Sequence, residues 1–329
     1  MSNENKILVT GGAGFIGSAL VHALNKSGRD DIVVADFLGS DEKYKNLLSL
    51  RIADYLEADK LLSLAEKNSA YFDQFETIFH LGACSSTTER DAGYLIQNNY
   101  EYSKVLAGTA LSRGIRFLYA SSAATYGDGS KGMDDQVEDL NQFLPLNMYA
   151  YSKQLFDLYA RRNKWFDHIV GLKYFNVFGP NESHKGDMRS LVAKSYDQIQ
   201  ESGEICLFKS YNPNYGDGDQ MRDFLYIKDA VAMTLHLASD QNATGIFNLG
   251  SGVATSWNTL AKSVFHSLDL EPNIRYIDMP DSLKGKYQYY TLANIEKLRR
   301  LGYGNTGFTI QEAVDDYMKN YLTRNQHLG

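Results

Sequence analysis

Short apolar runs alternate with longer stretches of helical periodicity through the first half of the chain. The runs cover residues 7–10, 32–36, 77–83 and 116–122. Runs of this length, bounded by small or polar residues, are typical of buried strands, and the stretches between them repeat apolar positions along one helix face. Strands that alternate with helices predict an α/β fold with a doubly wound parallel sheet.

The second half of the chain predicts a smaller α/β unit that is interleaved with this sheet. Two further apolar runs, residues 224–227 and 246–250, read as additional strands. We therefore expect a sheet-forming domain over residues 1–176 and a mainly ligand-binding domain over residues 177–329. Residues 224–252 are expected to return to the first sheet.

A glycine-rich turn follows the first apolar run. Gly11, Gly14 and Gly17 have the spacing G-x-x-G-x-x-G, and helical periodicity begins at Ser18. Glycines at this spacing let the backbone approach a pyrophosphate, while the helix N-terminus supplies amides and the positive end of a dipole. Strand, turn and helix in this order predict a Rossmann-type dinucleotide site. A glycine turn without a ligand is the alternative.

Two acidic residues follow where a dinucleotide would be contacted. Asp36 ends the second run about 20 residues beyond the glycines, where an acid binds the ribose and favours NAD by repelling a 2′-phosphate. Lys43 could offset that charge, so the choice between NADP and NAD stays open. Asp54 is predicted to reach the adenine, with a turn residue at a strand end as the alternative.

Tyr149 and Lys153 are four residues apart in a predicted helix and therefore share one face. A free Tyr has a pKa of about 10, and a fixed ammonium nearby is expected to lower it toward the range of a useful base. Ser122, at the end of the 116–122 run, could hydrogen-bond the oxygen on which Tyr149 acts, or form a local turn. The chain has 23 Tyr, so this spacing alone is weak evidence.

Two further polar residues lie near the same predicted sheet edge. Asn98, in a helical Gln-Asn-Asn-Tyr run, is predicted to hold the backbone near the nicotinamide, or to cap a helix or tie a loop. His80 is predicted to be a core residue with satisfied hydrogen bonds.

Composition excludes several other classes of protein. The net charge of −7 argues against nucleic acid or an anionic membrane as the main partner. No apolar run reaches the roughly 20 residues that cross a bilayer, and we expect a cytoplasmic protein without a signal peptide. Cys84 and Cys206 are far apart, and no Cys/His cluster has the spacing of metal ligands, so no metal is predicted.

The glycine turn, Ser122 and Tyr149-x-x-x-Lys153, in this order, resemble the extended short-chain dehydrogenase/reductase superfamily. Within that superfamily, five groups of residues resemble the ADP-L-glycero-D-manno-heptose 6-epimerases. They are residues 82–89, 119–127, 174–180 with 184–186, 222–224, and 283–288. These stretches span nearly the whole chain.

The resemblance implies an NADP-dependent, homo-oligomeric enzyme, a pentamer by analogy, that inverts C6 of the heptose in ADP-heptose. Such an enzyme serves the inner core of bacterial lipopolysaccharide. Motifs and resemblance together predict a cofactor site formed by Gly11, Gly12, Gly14, Phe15, Ile16, Gly17, Asp36, Phe37, Lys43, Asp54, Leu81, Gly82, Ala83, Cys84, Ser85, Asn98, Lys153 and Val177.

Inversion of an unactivated carbinol requires transient oxidation, because its C–H bond is not acidic, and a nicotinamide can take and return the hydride. Return to the opposite carbonyl face calls for two proton-transfer groups. Tyr149, with Ser122 and Lys153, is the first. The resemblance implies Lys185 as the second, whereas its spacing alone would favour a phosphate-binding or exposed loop lysine.

The predicted substrate residues lie mainly in the second half of the chain. Arg222 suits a diphosphate, or pairs with Asp219 or Asp223, while Phe208 and Tyr287 could flank the adenine or belong to the core. The complete predicted set is Ser122, Asn176, Lys185, Asp187, Lys194, Phe208, Arg222 and Tyr287.

Several positions depart from the pattern of the epimerases. Asp187 replaces a small hydroxyl residue, Lys194 replaces a His, Ala58 replaces a Lys near the NADP phosphate, and Phe37 replaces a polar residue. The last two weaken the expectation of NADP and leave NAD possible.

Three other functions are alternatives to this epimerase. A UDP-hexose 4-epimerase shares the redox half, while a 4,6-dehydratase would need an acid pair where Ala123 and Ala124 stand. A non-catalytic NADP-binding protein would be expected to have lost Tyr149 or Lys153.

Overall fold

The computed structural model describes residues 5–284 and 287–329. Its strands are β1 (Lys6–Thr10), β2 (Ile32–Asp36), β3 (Asp54–Glu57), β4 (Phe75–His80), β5 (Arg116–Ser122), β6 (Val170–Tyr174), β7 (Asn176–Phe178), β8 (Ile205–Phe208), β9 (Met221–Tyr226), β10 (Gly245–Leu249), β11 (Ala254–Ser256) and β12 (Ile274–Ile277).

The α-helices are α1 (Phe15–Lys26), α2 (Ala58–Glu66), α3 (Ala92–Leu95), α4 (Tyr102–Arg113), α5 (Met148–Arg162), α6 (Leu191–Ser202), α7 (Ile227–Ser239), α8 (Trp257–Ser267), α9 (Asp281–Lys284), α10 (Glu296–Arg300) and α11 (Ile310–Tyr317). A π-helical segment, Ile96–Glu101, joins α3 to α4.

Seven parallel strands form the central sheet in the order β10-β6-β5-β4-β1-β2-β3. Helices connect successive strands and cover both faces, as parallel crossovers require. α1 packs on α7, while α2 packs on α4. The predicted doubly wound α/β fold is confirmed. The strand order reverses beside β1 and β4, and ligands of such sheets bind at the carboxyl ends of the strands near this point.

The chain leaves the central sheet after β6 and returns through β10. β10 pairs with β6 along its whole length, so β6 lies between β5 and β10 and neither of its sides is free. β7 therefore separates from β6 and pairs with β9, and β11 adds to β9 in antiparallel orientation. The prediction that residues 224–252 return to the central sheet is thus correct for β10 but wrong for 224–226. The domain boundary at 176/177 stays a prediction.

A second small sheet joins β8 to β12 in parallel. α6 and α8 pack against each other beside it, and α8 also packs on α11. Within the described residues, no helix is long and apolar enough to cross a membrane.

Candidate active site

A cavity of about 1130 Å³ opens at the carboxyl edge of the central sheet. Its walls come from the glycine turn, the ends of β4 and β5, the first turns of α5, and second-half segments around residues 185–188, 222 and 287–291. The structure brings together in this cavity thirteen of the predicted residues: Phe15, Ile16, Leu81, Ala83, Ser85, Ser122, Tyr149, Lys153, Asn176, Val177, Lys185, Arg222 and Tyr287.

The glycine turn packs tightly between β1 and β4. Gly11 has a φ of +69°, and a Cβ there would lie 2.6 Å from the backbone nitrogen of Gly82. A Cβ on Gly17 would lie 2.0 Å from the carbonyl oxygen of Gly11, so helix and turn can approach this closely only without side chains. Both positions therefore require glycine.

The N-terminus of α1 is open to an anion. Gly14 is its N-cap residue and supplies no side-chain acceptor, and the first turn contains no acid. The first amides of a helix lack intrahelical partners and favour negative charge. This turn therefore fits the pyrophosphate of a dinucleotide.

Asp36 anchors the far side of the glycine turn. One carboxylate oxygen accepts a hydrogen bond from the amide of Ala13 at 2.9 Å. The other accepts from the amide of Phe37 at 2.7 Å and from Nζ of Lys43 at 3.0 Å. Lys43 thus neutralises the acid that would face a ribose. Asp36, Phe37 and Lys43 are not among the described residues that line the cavity, and Phe37 is exposed.

Tyr149 and Ser122 meet where the end of β5 faces the start of α5. Asn147 caps α5 by accepting from the amide of Ala150 at 2.9 Å, which fixes the helix start beside the strand end. Ser122 and Tyr149 both line the cavity, and Ser122 acts to lower the pKa of the Tyr149 hydroxyl. Ser122 also accepts from the amide of Ala124 at 3.1 Å, so the local turn weighed as the alternative is present as well.

The pKa of the Tyr149 hydroxyl is shifted in the direction opposite to the one that the sequence predicted. Burial raises it above the ordinary value, and Ser122 acts in the opposite direction. The expected lowering by Lys153 is not seen, because the Lys153 amine is directed to the carbonyl oxygen of Ala120 at 2.8 Å. Burial lowers the pKa of Lys153 to about 8, against an opposing effect of Asp157.

Lys185 lies in the 3-10 turn Ser183–Met188 and lines the same cavity. Its Nζ lies 5.1 Å from the centre of the Phe15 ring, at the first residue of α1. Burial lowers the pKa of Lys185, and nearby Glu182 raises it. A desolvated amine of this kind is suited to proton transfer near neutral pH.

Arg222 lines the same cavity and lies beside two aromatic rings. Its guanidinium carbon lies 5.0 Å from the centre of the Tyr287 ring and 5.7 Å from that of Trp257. The side chain is buried, which lowers its pKa, and it donates to the carbonyl oxygen of Met221 at 2.9 Å.

Within the described residues, no ion pair joins Arg222 to an acid. The carboxylate of Asp223, one of the predicted partners, instead accepts hydrogen bonds from the backbone of Ser251, Gly252 and Ala293. A buried guanidinium without an acidic partner fits an anionic ligand group. Trp257 was missed by the sequence analysis, because nothing in its spacing marks it as a neighbour of Arg222.

Comparison with known proteins identifies the family. Residues 7–250 match the NAD dependent epimerase/dehydratase family. The chain belongs to this family. Two curated relatives bear the name ADP-L-glycero-D-manno-heptose-6-epimerase. The one from Nitratidesulfovibrio vulgaris is 49% identical over 315 residues, or 96% of this chain and 97% of the relative. The one from Fusobacterium nucleatum is 42% identical, over 97% of this chain and 98% of the relative.

Solved structures agree along the whole chain. ADP-L-glycero-D-manno-heptose-6-epimerase from Helicobacter pylori has a TM-score of 0.80 and 28% identity, with 97% of this chain and 96% of that one covered. UDP-N-acetylglucosamine 4-epimerase from Methanobrevibacter ruminantium has a TM-score of 0.81 and 25% identity, with 98% and 99% covered. The resemblance found in the sequence is confirmed. This family member is an epimerase that uses a nicotinamide dinucleotide.

In this epimerase, Asn99 and not Asn98 holds the backbone beside the cofactor turn. Asn99 is buried; its Oδ1 accepts from the amide of Cys84 at 2.8 Å, and its Nδ2 donates to the carbonyl oxygen of Cys84 at 3.0 Å and to Ser152 Oγ at 2.9 Å. Among the residues that the structure describes, the side chain of Asn98 donates to the carbonyl oxygen of Tyr94, four residues earlier. The prediction was therefore wrong by one residue.

Asp54 is placed at the wrong end of its strand for an adenine contact. The sequence predicted a strand that ends at Asp54, but β3 begins there. Asp54 lies opposite Val33, whereas Glu57 lies opposite Asp36 at the carboxyl edge. Its carboxylate accepts from the amide of Tyr55, so the role of a local turn residue describes it better.

Three predicted substrate residues lie outside the described walls of the cavity, namely Asp187, Lys194 and Phe208. Asp187 is exposed, and the other two are half-buried in α6 and β8. Asn176 does line the cavity, where it donates to the carbonyl oxygen of Asp223 at 3.1 Å and to Thr291 Oγ1 at 3.2 Å. Within the 283–288 stretch, Gly285 and Lys286 lie outside the described residues.

His80 has the core role that the sequence predicted. Its Nδ1 is 2.8 Å from Thr10 Oγ1 and its Nε2 is 3.0 Å from Ser103 Oγ. Burial lowers its pKa to about 3, which favours the neutral ring at neutral pH.

Proposed function

We propose that this epimerase inverts C6 of ADP-D-glycero-D-manno-heptose to give ADP-L-glycero-D-manno-heptose, a precursor of the lipopolysaccharide inner core. The near-full-length identity to relatives of that name supports the substrate. The observation that supports the mechanism is that Tyr149 with Ser122, and Lys185 from the other half of the chain, line one cavity.

Tyr149 is the first proton-transfer group. Its hydroxyl and that of Ser122 line one cavity at the carboxyl edge of the sheet, where a substrate oxygen can receive a hydrogen bond from each. A nicotinamide, when bound beside the glycine turn, would supply hydride transfer to and from C6. Ser122 orients the reacting oxygen, and Lys153 anchors the base of the site through the carbonyl oxygen of Ala120.

Lys185 is the second proton-transfer group, for the inverted orientation of the oxygen. Return of hydride to the opposite carbonyl face requires the sugar to turn, which moves its oxygen away from Tyr149. The Lys185 amine is desolvated, and its pKa is lowered toward the working range of a base. Burial raises the pKa of Tyr149 and lowers that of Lys185, and one cavity holds both groups, one for each orientation of the oxygen.

NADP is the proposed cofactor. Asp36 alone would repel a 2′-phosphate, but the ion pair with Lys43 at 3.0 Å neutralises it and places a cation at the end of β2. Extraction of the cofactor from purified protein, followed by a 2′-phosphate assay, tests this. Recovery of NAD alone would exclude NADP as the resident cofactor.

Arg222 and Tyr287 are proposed to hold the ADP part of the substrate. The guanidinium fork matches phosphate oxygens, and the rings of Trp257 and Tyr287 keep it in place. We also propose, from the resemblance to the epimerases, a cytoplasmic homo-oligomer with five subunits. Light scattering on the purified holoenzyme measures the subunit number.

The deciding experiment follows ADP-D-glycero-D-manno-heptose by NMR at C6. Wild-type protein is expected to convert it, whereas Tyr149→Phe and Lys185→Met are each expected to lose turnover while retaining cofactor. No conversion of this substrate by wild type, together with conversion of UDP-galactose, would replace the assignment with a UDP-hexose 4-epimerase. Near-normal turnover in Lys185→Met would remove Lys185 from the mechanism.

A further inference from the structure

The side-chain amide of Asn46 lies beside the glycine-rich cofactor turn. It joins the turn that carries Asn46 to three other parts of the chain. Asn46 lies in the 3-10 turn Lys43–Leu47, after β2, and is 1% exposed. We call its contacts the Asn46 network; its partners are Ala13, Asn181, His184 and His327. None of these residues has a role in the proposed reaction.

The orientation of the Asn46 amide is fixed by its partners. Its Nδ2 donates to the carbonyl oxygens of Ala13 at 2.9 Å and Asn181 at 3.2 Å, and lies 3.3 Å from Nδ1 of His184. Its Oδ1 accepts from Nδ1 of His327 at 2.9 Å. A flipped amide would set an oxygen against two carbonyl oxygens, so only this orientation satisfies the network.

Two of these partners belong to the segment that carries Lys185. Asn181 and His184 stand four and one residues before it. The start of the segment is held further by Asn181, which donates to Ser18 Oγ at 3.0 Å and accepts from the amide of Leu328 at 2.7 Å. Past Lys185 the backbone turns at Gly186, which has a φ of +53°, so the Asn46 network acts on the side before this turn.

The same amide also holds the opposite side of the Lys185 contact. Lys185 Nζ lies over the ring of Phe15, and Phe15 follows Ala13 by two residues in the glycine turn. Asn46 therefore binds the turn next to the ring and the segment next to the amine. One buried side chain sets the separation between them.

We propose that Asn46 is a positioning residue that holds Lys185 toward the cavity and couples its placement to the cofactor turn. This rests on the proposed function, in which Lys185 transfers a proton. Without the amide, the carbonyl oxygens of Ala13 and Asn181 lose a shared donor, and the bond from Asn181 to Ser18 is left to hold the two backbone segments together. Lys185 then moves toward solvent and away from the reacting oxygen.

The first measurement compares kcat and KM of Asn46→Ala with those of Asn25→Ala. Asn25 is a matched control, because its buried amide likewise donates to two carbonyl oxygens, those of Arg29 and Arg51. Neither Asn46 nor Asn25 lines the described cavity. We expect kcat of Asn46→Ala to fall on the order of 10- to 100-fold, as for a displaced catalytic group, with little change in KM. Asn25→Ala should keep both constants.

The second measurement does not depend on turnover. Competitive acetylation across pH, read by peptide mass spectrometry of the holoenzyme, titrates the Lys185 amine directly. In Asn46→Ala its midpoint should rise toward that of an exposed lysine, because the amine becomes solvated; in Asn25→Ala it should not move. An unmoved Lys185 midpoint in folded Asn46→Ala overturns the proposal, even if kcat falls.

Failure of this proposal can be told apart from failure of the proposed function. Full turnover in Lys185→Met would remove Lys185 from the reaction, yet the titration would still report whether Asn46 places the amine. If Asn46→Ala does not fold, His184→Ala decides by the same two measurements, since it removes one partner and leaves the amide. Wild-type values for both would then reject the proposal.

Discussion

Lys153 donates a hydrogen bond from Nζ to the carbonyl oxygen of Ala120 at 2.8 Å, and so connects the helix that carries Tyr149 to the middle of β5. The amine is 4% exposed as a residue, and burial lowers its pKa to about 8. One turn further along α5, Asp157 is neutralised by Lys173 at 2.7 Å, and both are buried. These contacts fix the helix that carries Tyr149 to the central sheet.

The lowered pKa of Lys153 predicts a pH-dependent stability. Between pH 8 and the ordinary lysine value of 10.5, the unfolded chain holds a proton that the folded chain has released. The free energy of unfolding therefore increases as pH rises through this window. Below pH 8 the cost of burying the charged Lys153 amine is fully present. A shift of this size corresponds to roughly 3 kcal/mol.

Lys153→Met isolates this contribution. Urea unfolding of wild type and variant at pH 7 and pH 10 should show the variant gaining relative to wild type at pH 7, with the difference narrowing by pH 10. A difference that is independent of pH would contradict a lowered pKa at Lys153. Lys153→Met should also lose turnover, which separates its catalytic role from its effect on stability.

Replacement by alanine is predicted to lower the free energy of unfolding much more at Asn99 than at the neighbouring Asn98. Asn99→Ala leaves both backbone groups of Cys84 without their partner, and each unpaired buried group costs about 1 to 3 kcal/mol. Asn98→Ala removes one bond within its own helix and should stay within about 0.5 kcal/mol of wild type. Thermal unfolding and cofactor retention measure both. Equal effects of the two variants would show that the Cys84 contact does not matter.

The same pair shows what the sequence could and could not predict. Apolar periodicity locates the strands and the helix faces, so the central sheet and the Tyr149–Lys153 face follow from local pattern. The spacing of Leu95, Asn99, Tyr102 and Leu106 along one face could have identified Asn99 as the buried member of the pair.

Contacts between distant segments could not be predicted from local pattern. Trp257 beside Arg222, and His327 on Asn46, depend on how β9, α8 and the end of the chain meet in space. β3 shows a smaller failure of the same kind. Its apolar residues mark a strand, but pairing with β2 decides that it begins at Asp54.

Lys43 is predicted to determine the preference for NADP over NAD. In Lys43→Ala, the carboxylate of Asp36 loses its ion pair at 3.0 Å and would repel a 2′-phosphate. Retention of NADP relative to NAD should fall on the order of tenfold, or about 1.4 kcal/mol. Lys45→Ala is the control, because Lys45 is exposed and pairs with Glu42. An unchanged cofactor ratio in Lys43→Ala would assign the preference to another group.

Trp257 is predicted to strengthen substrate binding through Arg222. The guanidinium carbon of Arg222 lies 5.7 Å from the centre of the Trp257 ring and 5.0 Å from that of the Tyr287 ring. Replacing the indole by a smaller ring weakens a desolvated cation–π contact worth about 1 to 2 kcal/mol. Trp257→Phe should therefore raise KM for ADP-heptose by about 5- to 30-fold.

The kcat of Trp257→Phe should stay near wild type, because a contact made equally to substrate and transition state changes KM alone. Trp165→Phe is the matched control, since Trp165 packs on Phe156 and Tyr159, away from Arg222. Arg222→Lys should raise KM at least as much, because an ammonium lacks the planar fork that stacks and binds two oxygens. A loss of kcat with unchanged KM in Trp257→Phe would instead place Arg222 at the reacting carbon.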